Sequence, residues 1–202
     1  MNELSIEGIV LRATPFKEND RIVTLFTPEF GVMSLYVKNL SRKKPTLTNL
    51  TTPLARGEFV FSKGRSDLFR FLDGTLIDLH RDLRRSYAHL EVGGKMVQSI
   101  LATQMPGKSA PALYRLLALY LKALSTFSRP ETLGASFMLK LLKHEGLLSF
   151  EEKGLTFTAS EKKCLEILAH ARTLAPLETL EITPAITKGV QVIYETLVTG
   201  IH

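Results

Sequence analysis

A chain of 202 residues, 45% of them hydrophobic and 23% charged, can form one large globular domain or two small ones. Its formal net charge of +6 favours polyanionic partners but does not decide among them. A single cysteine, Cys164, excludes an intrachain disulfide and a cysteine-based zinc site, and no apolar run reaches membrane-spanning length, so we expect a cytoplasmic protein.

Three strands are predicted in the first forty residues, because short runs rich in β-branched and aromatic side chains alternate with turn residues. The first strand starts at residues 8–12, and residues 15–19 form a turn into the second strand at 21–27. Residues 28–31, Pro-Glu-Phe-Gly, predict a second turn. Residues 32–38 then alternate between an apolar face and a mixed face, as a half-buried strand requires.

Two further strands are predicted after this region. Residues 54–62 and 68–77 flank the short Gly-containing segment 63–67, which is the pattern of a β-hairpin. Five short strands in succession with no helical period are typical of a small closed barrel. A five-stranded barrel of the OB type commonly binds oligonucleotides through its loops and one open face.

Beyond residue 80 the apolar side chains recur at helical spacing. Helices are predicted over 82–104, from an N-cap at Ser109 to 124, from about 130 to a stop at Gly146, from Thr158 to 171, and from 183–184 to about 199. Ser128 with Glu131, and Thr158 with Glu161, both have the spacing of a capping box.

These patterns predict an α+β protein, with an N-terminal five-stranded OB-type β-barrel over residues 1–80 and an α-helical bundle domain over residues 81–202. Positive charge is concentrated after the barrel, since residues 81–146 hold ten basic and four acidic side chains, beginning with Arg81, Arg84 and Arg85. The bundle either extends an electrostatic footprint of the barrel or offers a separate site for an acidic ligand.

A basic loop follows the third predicted strand. Lys38, Arg42, Lys43 and Lys44 place four cations in seven positions, which suits a phosphate backbone and predicts salt-sensitive binding. An ordinary solvated loop explains the same residues. Because the loop is attached to a predicted OB barrel, we favour the nucleic-acid interpretation.

Other residues of the predicted barrel extend this candidate interface. The basic ones at the first hairpin and the last hairpin loop are Arg12, Lys17, Arg21, Lys63 and Arg65. Tyr36 lies opposite the apolar face of the third strand, where it either stacks on a base or packs beneath the helices.

The run from Glu7 to Lys44 resembles the N-terminal signature of the RecO family of bacterial recombination mediators. The family's G-[IV]-V-L start, x-E-x-D-x-[IL] turn, T-x-x-x-G turn and K-G-x-R-[RK] loop correspond to residues 8–11, 18–22, 27–31 and 38–42. The order of strands, basic loop, leucine-rich helices and a Leu-Leu-x-x-x-Gly-Leu-Leu stretch also matches, and the resemblance covers residues 4–150.

The sequence departs from the family pattern at two places. Asn39 stands where the family often has glycine, which is expected to alter the backbone of the basic loop. Many members carry four cysteines of a zinc site after the Gly-Leu-Leu stretch, whereas residues 151–154 here are Glu-Glu-Lys-Gly. We therefore expect no metal, no other cofactor, and a divergent C-terminal part over 147–202 without a zinc module.

The resemblance implies a DNA-binding and strand-annealing protein of recombinational repair, not an enzyme. Such proteins bind single- and double-stranded DNA, anneal complementary strands and, with RecR, help load RecA onto DNA coated by single-stranded DNA-binding protein. They also contact the acidic-apolar C-terminal tail of that coating protein, and they work in the bacterial cytoplasm at the nucleoid.

A candidate site for such a tail lies on the third predicted helix. Lys140 and Lys143 stand beside the apolar Leu139 and Leu142, and three further cations could assist, namely Arg115, Lys122 and Arg129. Ordinary solvated helix faces explain the same residues.

Other features leave alternatives open. The Asp78-x-His80-x-Asp82 spacing suggests a metal or acid–base site, but no further ligand cluster completes it, so we favour a structural role. Two other functions compete with the DNA-repair interpretation: an OB-fold module that binds RNA, and a protein–protein adaptor that acts through its helices.

Overall fold

Five strands close into a β-barrel in the part of the chain that this computed structural model describes, residues 3–38, 45–63, 68–150 and 156–199. They are β1 (Glu3–Phe16), β2 (Asp20–Thr27), β3 (Gly31–Val37), β4 (Arg56–Ser62) and β5 (Phe69–Asp78). The order around the barrel is β1-β2-β3-β5-β4, and β4 pairs back to β1. Every pair is antiparallel except β3 with β5. The predicted OB-type barrel is confirmed.

Strand β1 changes its alternation part-way along. Ile6 and Val10 face the barrel core, and so does Ala13, three residues further on. The shift comes from a β-bulge between Val10 and Arg12 in the pairing of β1 with β2. A bulge adds one residue to a strand, so the side chains beyond it exchange faces relative to an uninterrupted strand.

The turn between β2 and β3 requires glycine at its last position. Thr27 Oγ1 accepts a hydrogen bond from the Phe30 amide at 3.2 Å and donates one to the Gly31 carbonyl at 3.0 Å. Gly31 has a φ of 59°, and a Cβ there would lie 2.1 Å from the backbone oxygen of Lys108. The turn is thus closed by side-chain hydrogen bonds and held against the segment that precedes the helix at residues 111–124.

A short helix that the sequence did not predict fills one end of the barrel. It is α1 (Pro45–Leu50), between β3 and β4. Leu50 is fully buried, and a Cβ on Gly57 or Gly74 would lie 2.3 Å or 2.8 Å from its methyl carbons. The two glycines of β4 and β5 therefore make room for the side chain that joins α1 to the core.

The remaining helices agree closely with the predicted ones. They are α2 (Tyr87–Thr103), α3 (Pro111–Leu124), α4 (Pro130–His144), α5 (Ala159–His170), α6 (Ala175–Glu178) and α7 (Pro184–Thr199). A 3₁₀ turn (Arg81–Arg85) precedes α2, so the predicted helix over 82–104 is interrupted before Tyr87. The very short α6 was not predicted.

Helix ends show which cap predictions were right. Thr158 and Glu161 form the predicted capping box of α5. Ser128 does not cap α4, because the helix begins at Pro130 and its N-cap is Arg129, which makes no side-chain capping bond. Gly146, with a φ of 73°, ends α4 as predicted, and the Leu147 amide bonds the Leu142 carbonyl at 2.8 Å.

The chain divides into two compact units that differ from a simple N-terminal and C-terminal division. The first comprises residues 1–82 and 103–121, and the second comprises residues 83–102 and 122–202. Within the first unit, α3 is joined to the barrel through Tyr114, whose ring lies 5.9 Å from that of Phe26. Within the second unit, α4 is buried almost all round by α5 and α7.

Candidate nucleic-acid interface

The outer surface of β1, β2 and β3 carries Arg12 and Tyr36, two of the residues predicted to bind nucleic acid. Arg12 pairs across the sheet with Thr24, and Thr24 with Ser34. The next outward row contains Ile22 and Tyr36. Because the bulge after Val10 reverses the alternation of β1, Arg12 points outward and is exposed.

Two aromatic rings form the centre of this surface. Phe16, at the end of β1, packs edge-on against Tyr36, with 5.8 Å between ring centroids. Lys17 Nζ lies 5.6 Å from the centre of the Phe16 ring, and Lys38 Nζ lies 5.6 Å from the centre of the Tyr36 ring. Phe16 is 41% exposed, an unusual position for a phenylalanine with a folded core beside it. Rings flanked by ammonium groups suit bases and phosphates together.

The orientation of Tyr36 is fixed by an acidic neighbour. Its hydroxyl donates a short hydrogen bond to Asp20 Oδ2. This hydrogen bond is the main reason that the pKa of Tyr36 is raised, so the phenol keeps its donating proton to a higher pH than a free tyrosine does. Asp20 also adds one negative charge to an otherwise basic surface.

A fourth cation reaches this surface through long-range pairing. Strand β5 runs parallel to β3 and sets Arg70 opposite Tyr36 in the register. Arg70 is exposed, and the sequence analysis did not select it. We call the group Arg12, Phe16, Lys17, Tyr36, Lys38 and Arg70 the aromatic-basic face. Phe16 was missed as well, because the sequence placed residues 15–19 in a turn.

The remaining predicted nucleic-acid residues differ in how the structure places them. Lys63 is exposed at the end of β4. Arg21 is half-buried and shares its alternation with the buried Val23, so it stands at the barrel rim and not in the outward row. The calls on Arg42, Lys43, Lys44 and Arg65 lie outside the described residues.

The opposite side of the barrel, formed by β4 with the neighbouring parts of β1 and β5, is acidic. A cleft there, which we call the acidic face, is lined by Ser5, Ile6, Glu7, Glu29, Phe30, Glu58 and Ile77. Ser5 donates a hydrogen bond of 2.7 Å to Glu58. Repulsion of phosphate by these carboxylates leaves the aromatic-basic face as the side of the barrel suited to nucleic acid.

Glu7 on the acidic face also holds α3. Its Oε1 accepts hydrogen bonds from Arg56 Nε and from the Tyr114 hydroxyl, each at 2.7 Å. The bond from Arg56 is the main reason that the pKa of Glu7 is lowered. Burial, followed by the bond to Glu7, raises the pKa of Tyr114. This carboxylate therefore has a structural partner on each side.

His80 is buried and hydrogen-bonded within the fold, as a structural role requires. Its side chain is buried, and Nδ1 lies 2.9 Å from the Leu54 carbonyl, to which it donates in the neutral ring. Burial lowers the pKa of His80, which keeps the ring neutral. The described part of the chain contains no group of three His, Cys, Asp or Glu side chains arranged to hold a metal ion.

The candidate tail-binding residues do not share one open surface. Leu139 and Leu142 are fully buried in α4, so their prediction as exposed apolar contacts was wrong; α4 is covered on nearly every side and presents no free apolar stripe. Arg115 and Lys122 are exposed on α3, Arg115 in the first compact unit and Lys122 in the second. Arg129 donates to the Leu180 carbonyl at 3.2 Å.

Two of these candidates remain beside an open pocket. Lys140 Nζ donates a short hydrogen bond to the Ala171 carbonyl, and burial lowers its pKa. Lys143 Nζ lies 2.7 Å from His170 Nδ1. Ala171 and His170 belong to the lining of a pocket completed by Phe150, Glu166, Ile167 and Pro176.

Comparison with known proteins agrees with the barrel. Residues 1–80 match the family model described as "Recombination protein O N terminal". The N-terminal domain therefore belongs to the RecO family. The matched residues include the whole barrel, β1 to β5, with every member of the aromatic-basic face.

Similarity to RecO proteins extends past the barrel. The chain is 32% identical over 146 residues to "DNA repair protein RecO" of Chlamydia pneumoniae, covering 72% of this chain and 58% of that protein. A protein of the same name from Chlamydia muridarum is 27% identical over 172 residues, 85% of this chain and 73% of its own length. The one from Clostridium acetobutylicum is 26% identical over 140 residues, 69% of this chain and 56% of its own.

The chain thus spans less than two thirds of the length of most of these relatives. Among the described residues, no helix has both the length and the apolar character needed to cross a bilayer.

Proposed function

We propose that this chain is a DNA-binding, strand-annealing protein of recombinational DNA repair that acts by binding and not by catalysis. The observation that carries the proposal is the Phe16–Tyr36 ring pair with Lys17 and Lys38 over its two rings. Single-stranded nucleic acid is bound in OB folds by stacking bases on aromatic side chains and by neutralising the backbone with cations. RecO-type relatives named as DNA repair proteins support DNA as the substrate.

The first test is the salt dependence of binding. Fluorescence anisotropy of a labelled single-stranded DNA oligomer is measured across a salt series for the wild type and for K17S/K38S/R70S. Each lost phosphate contact lowers the log–log slope by about 0.7, so the triple variant is expected to lose about 2 units of slope. The control K162S/K163S/K188S removes three exposed charges far along the sequence and leaves the slope unchanged. An equal slope in all three proteins contradicts the proposal.

The basic loop belongs to the same proposal. Arg42, Lys43, Lys44 and Arg65 are assigned to DNA binding together with Lys38 of the aromatic-basic face, on the strength of their charge and their position in the sequence. Wild-type affinity after simultaneous substitution of the four loop cations by serine refutes the loop assignment. Matched RNA and DNA oligomers test the RNA-binding alternative, since only RNA offers the 2′-hydroxyl.

We further propose that the protein works with RecR to load RecA onto DNA coated by single-stranded DNA-binding protein. Strand annealing is followed by the quenching of two dye-labelled complementary oligomers, with and without the coating protein. Faster annealing of coated strands supports the mediator role. Weak DNA binding that is insensitive to the barrel cations supports the adaptor alternative instead.

The proposed receptor for the acidic-apolar tail of the coating protein is the pocket beside Lys140 and Lys143. Its support is an apolar lining, contributed by Phe150, Ile167 and Pro176, next to two ammonium groups. A labelled acidic peptide with an apolar C-terminal residue is expected to lose about tenfold in affinity to K140S/K143S. Equal binding to both proteins removes the pocket from consideration.

A further inference from the structure

The short turn before α2 is the clearest charged feature that the proposed DNA interface does not use. Arg84 and Arg85 end the 3₁₀ turn, and Tyr87 begins α2. Both arginines are exposed. Tyr87 is 82% exposed, which is the highest exposure of any large apolar or aromatic side chain among the described residues. Two exposed arginines within three residues of an exposed phenol ring repeat the residue types of the aromatic-basic face on a different element.

This turn is anchored from inside. Leu83, between the basic residues, is fully buried. His89 Nε2 lies 2.9 Å from the Phe127 carbonyl, to which it must donate, so Nδ1 of a neutral ring accepts from Ser86 Oγ, also at 2.9 Å. The turn therefore has a buried anchor before Arg84 and a hydrogen-bonded one after Arg85, and its exposed side chains start from a fixed backbone.

Charge in the rest of this segment is balanced. On α2, Lys95 pairs with Glu91 at 2.8 Å, one turn apart. The turn before α2 holds Arg81, Arg84 and Arg85 together with Asp82. Glu91 and Lys95 are the other charged side chains up to residue 102, so the net positive charge lies in the turn. The excess cation charge is thus placed beside the exposed ring and not spread along the helix.

We propose that Arg84, Arg85 and Tyr87 form a second binding site for single-stranded nucleic acid, distinct from the aromatic-basic face. The arginines bind phosphates, and the Tyr87 ring stacks on one base. The inference rests on the proposed function, since annealing brings two strands together and a protein with two sites holds both of them. One strand occupies the barrel, and the second occupies this turn.

The test counts strands per chain. Native mass spectrometry of the full chain is performed with a thymidine oligomer of about six nucleotides, short enough to occupy one site of OB size. Two oligomers per chain are expected for the wild type, one for R84S/R85S/Y87A and one for K17S/K38S/R70S. The matched control K162S/K163S changes two exposed lysines of the same unit and keeps two.

Tyr87 separates stacking from simple charge attraction. Y87F keeps the ring and is expected to retain the second strand, whereas Y87A is expected to weaken it by about fivefold to a hundredfold, the range for loss of one stacked base. Thermal unfolding of both variants should match the wild type, because the ring is open to solvent.

Failure of this inference and failure of the proposed function give different results. A wild type that binds one strand, or an R84S/R85S/Y87A variant that still binds two, overturns the second site and leaves the barrel assignment standing. A wild type that binds no strand overturns both.

Discussion

The two sides of the barrel share a strand but differ in charge. Strand β1 contributes Arg12 and Phe16 to the aromatic-basic face, and it contributes Ser5 and Glu7 to the acidic face. The bulge after Val10 makes this possible, because without the extra residue Arg12 and Phe16 would point into the core. One irregularity in the sheet therefore decides which side of the barrel presents rings and cations.

The two sides also differ in what covers them. On the acidic side, Glu7 is bonded to Arg56 and to Tyr114 of α3, so part of that side stabilises the fold. On the aromatic-basic side, Phe16 remains 41% exposed, and the Tyr36 hydroxyl is hydrogen-bonded to Asp20. The comparison supports the proposal that the aromatic-basic side binds the ligand, since part of the acidic side is used for internal packing.

Removing both rings should have the largest effect. F16S/Y36S is expected to weaken single-stranded DNA binding by at least about 30-fold, since each stacked base is worth about 1–3 kcal/mol. The measurement is anisotropy at fixed salt, with circular dichroism to check the fold. Y36F alone keeps the ring and should bind almost as the wild type does. Near-normal affinity of the double variant would show that the ring pair is not the contact surface.

Charge exchange tests the asymmetry of the two sides directly. K38E is expected to weaken DNA binding by about tenfold and to lower the salt slope, whereas the matched change E58K on the acidic face should change affinity by less than about threefold. Both are exposed positions, so folding is not expected to differ. Equal effects of opposite sign at the two positions would mean that net charge, and not the face, governs binding.

The acidic side is expected to make the free energy of unfolding depend on pH. The pKa of Glu7 is lowered in the folded protein, so its contribution is present above the unfolded pKa and is lost as pH falls through the lowered folded value. With side chains 30% and 36% exposed, the Arg56–Glu7 pair contributes less than about 1 kcal/mol after screening. Urea unfolding from pH 7 down to pH 3 should therefore show a smaller acid-induced loss in E7Q than in the wild type. An identical loss in both proteins would show that Glu7 does not cause the pH dependence of stability.

Much of the fold was predictable because it depends on local patterns. The alternation in residues 32–38 and the Pro-Glu-Phe-Gly turn identified β3 and its hairpin correctly. Thr158 and Glu161 formed their capping box, whereas Ser128 and Glu131 did not, since Pro130 takes the first helical position and places Ser128 one residue too early. The sequence spacing was the same, and the position of the proline decided the outcome.

The missed features depend on contacts between distant residues. Helix α1 has the sequence Pro-Thr-Leu-Thr-Asn-Leu, which has weak helix propensity, and it is fixed by the insertion of Leu50 beside Gly57 and Gly74. Arg70 reaches the aromatic-basic face only through the parallel pairing of β5 with β3. Leu139 and Leu142 were predicted as apolar contacts for the tail, but α4 is buried on nearly all sides.

The smallest expected effect concerns Asp20, whose carboxylate accepts the hydrogen bond of the Tyr36 hydroxyl on the aromatic-basic side. D20N removes a negative charge beside the DNA track while keeping an oxygen for the Tyr36 hydroxyl, so binding should improve by about twofold, or about 0.5 kcal/mol. The pKa of Tyr36 should fall toward its ordinary value, since its hydrogen bond to the carboxylate is the main cause of the increase. Ultraviolet titration, compared with Y36F to identify the signal, measures this change. The contrary result is weaker DNA binding by D20N while the pKa of Tyr36 falls as expected. That result would mean that the Asp20 carboxylate is needed to hold the Tyr36 ring for stacking, and that this role outweighs the repulsion between its charge and the DNA.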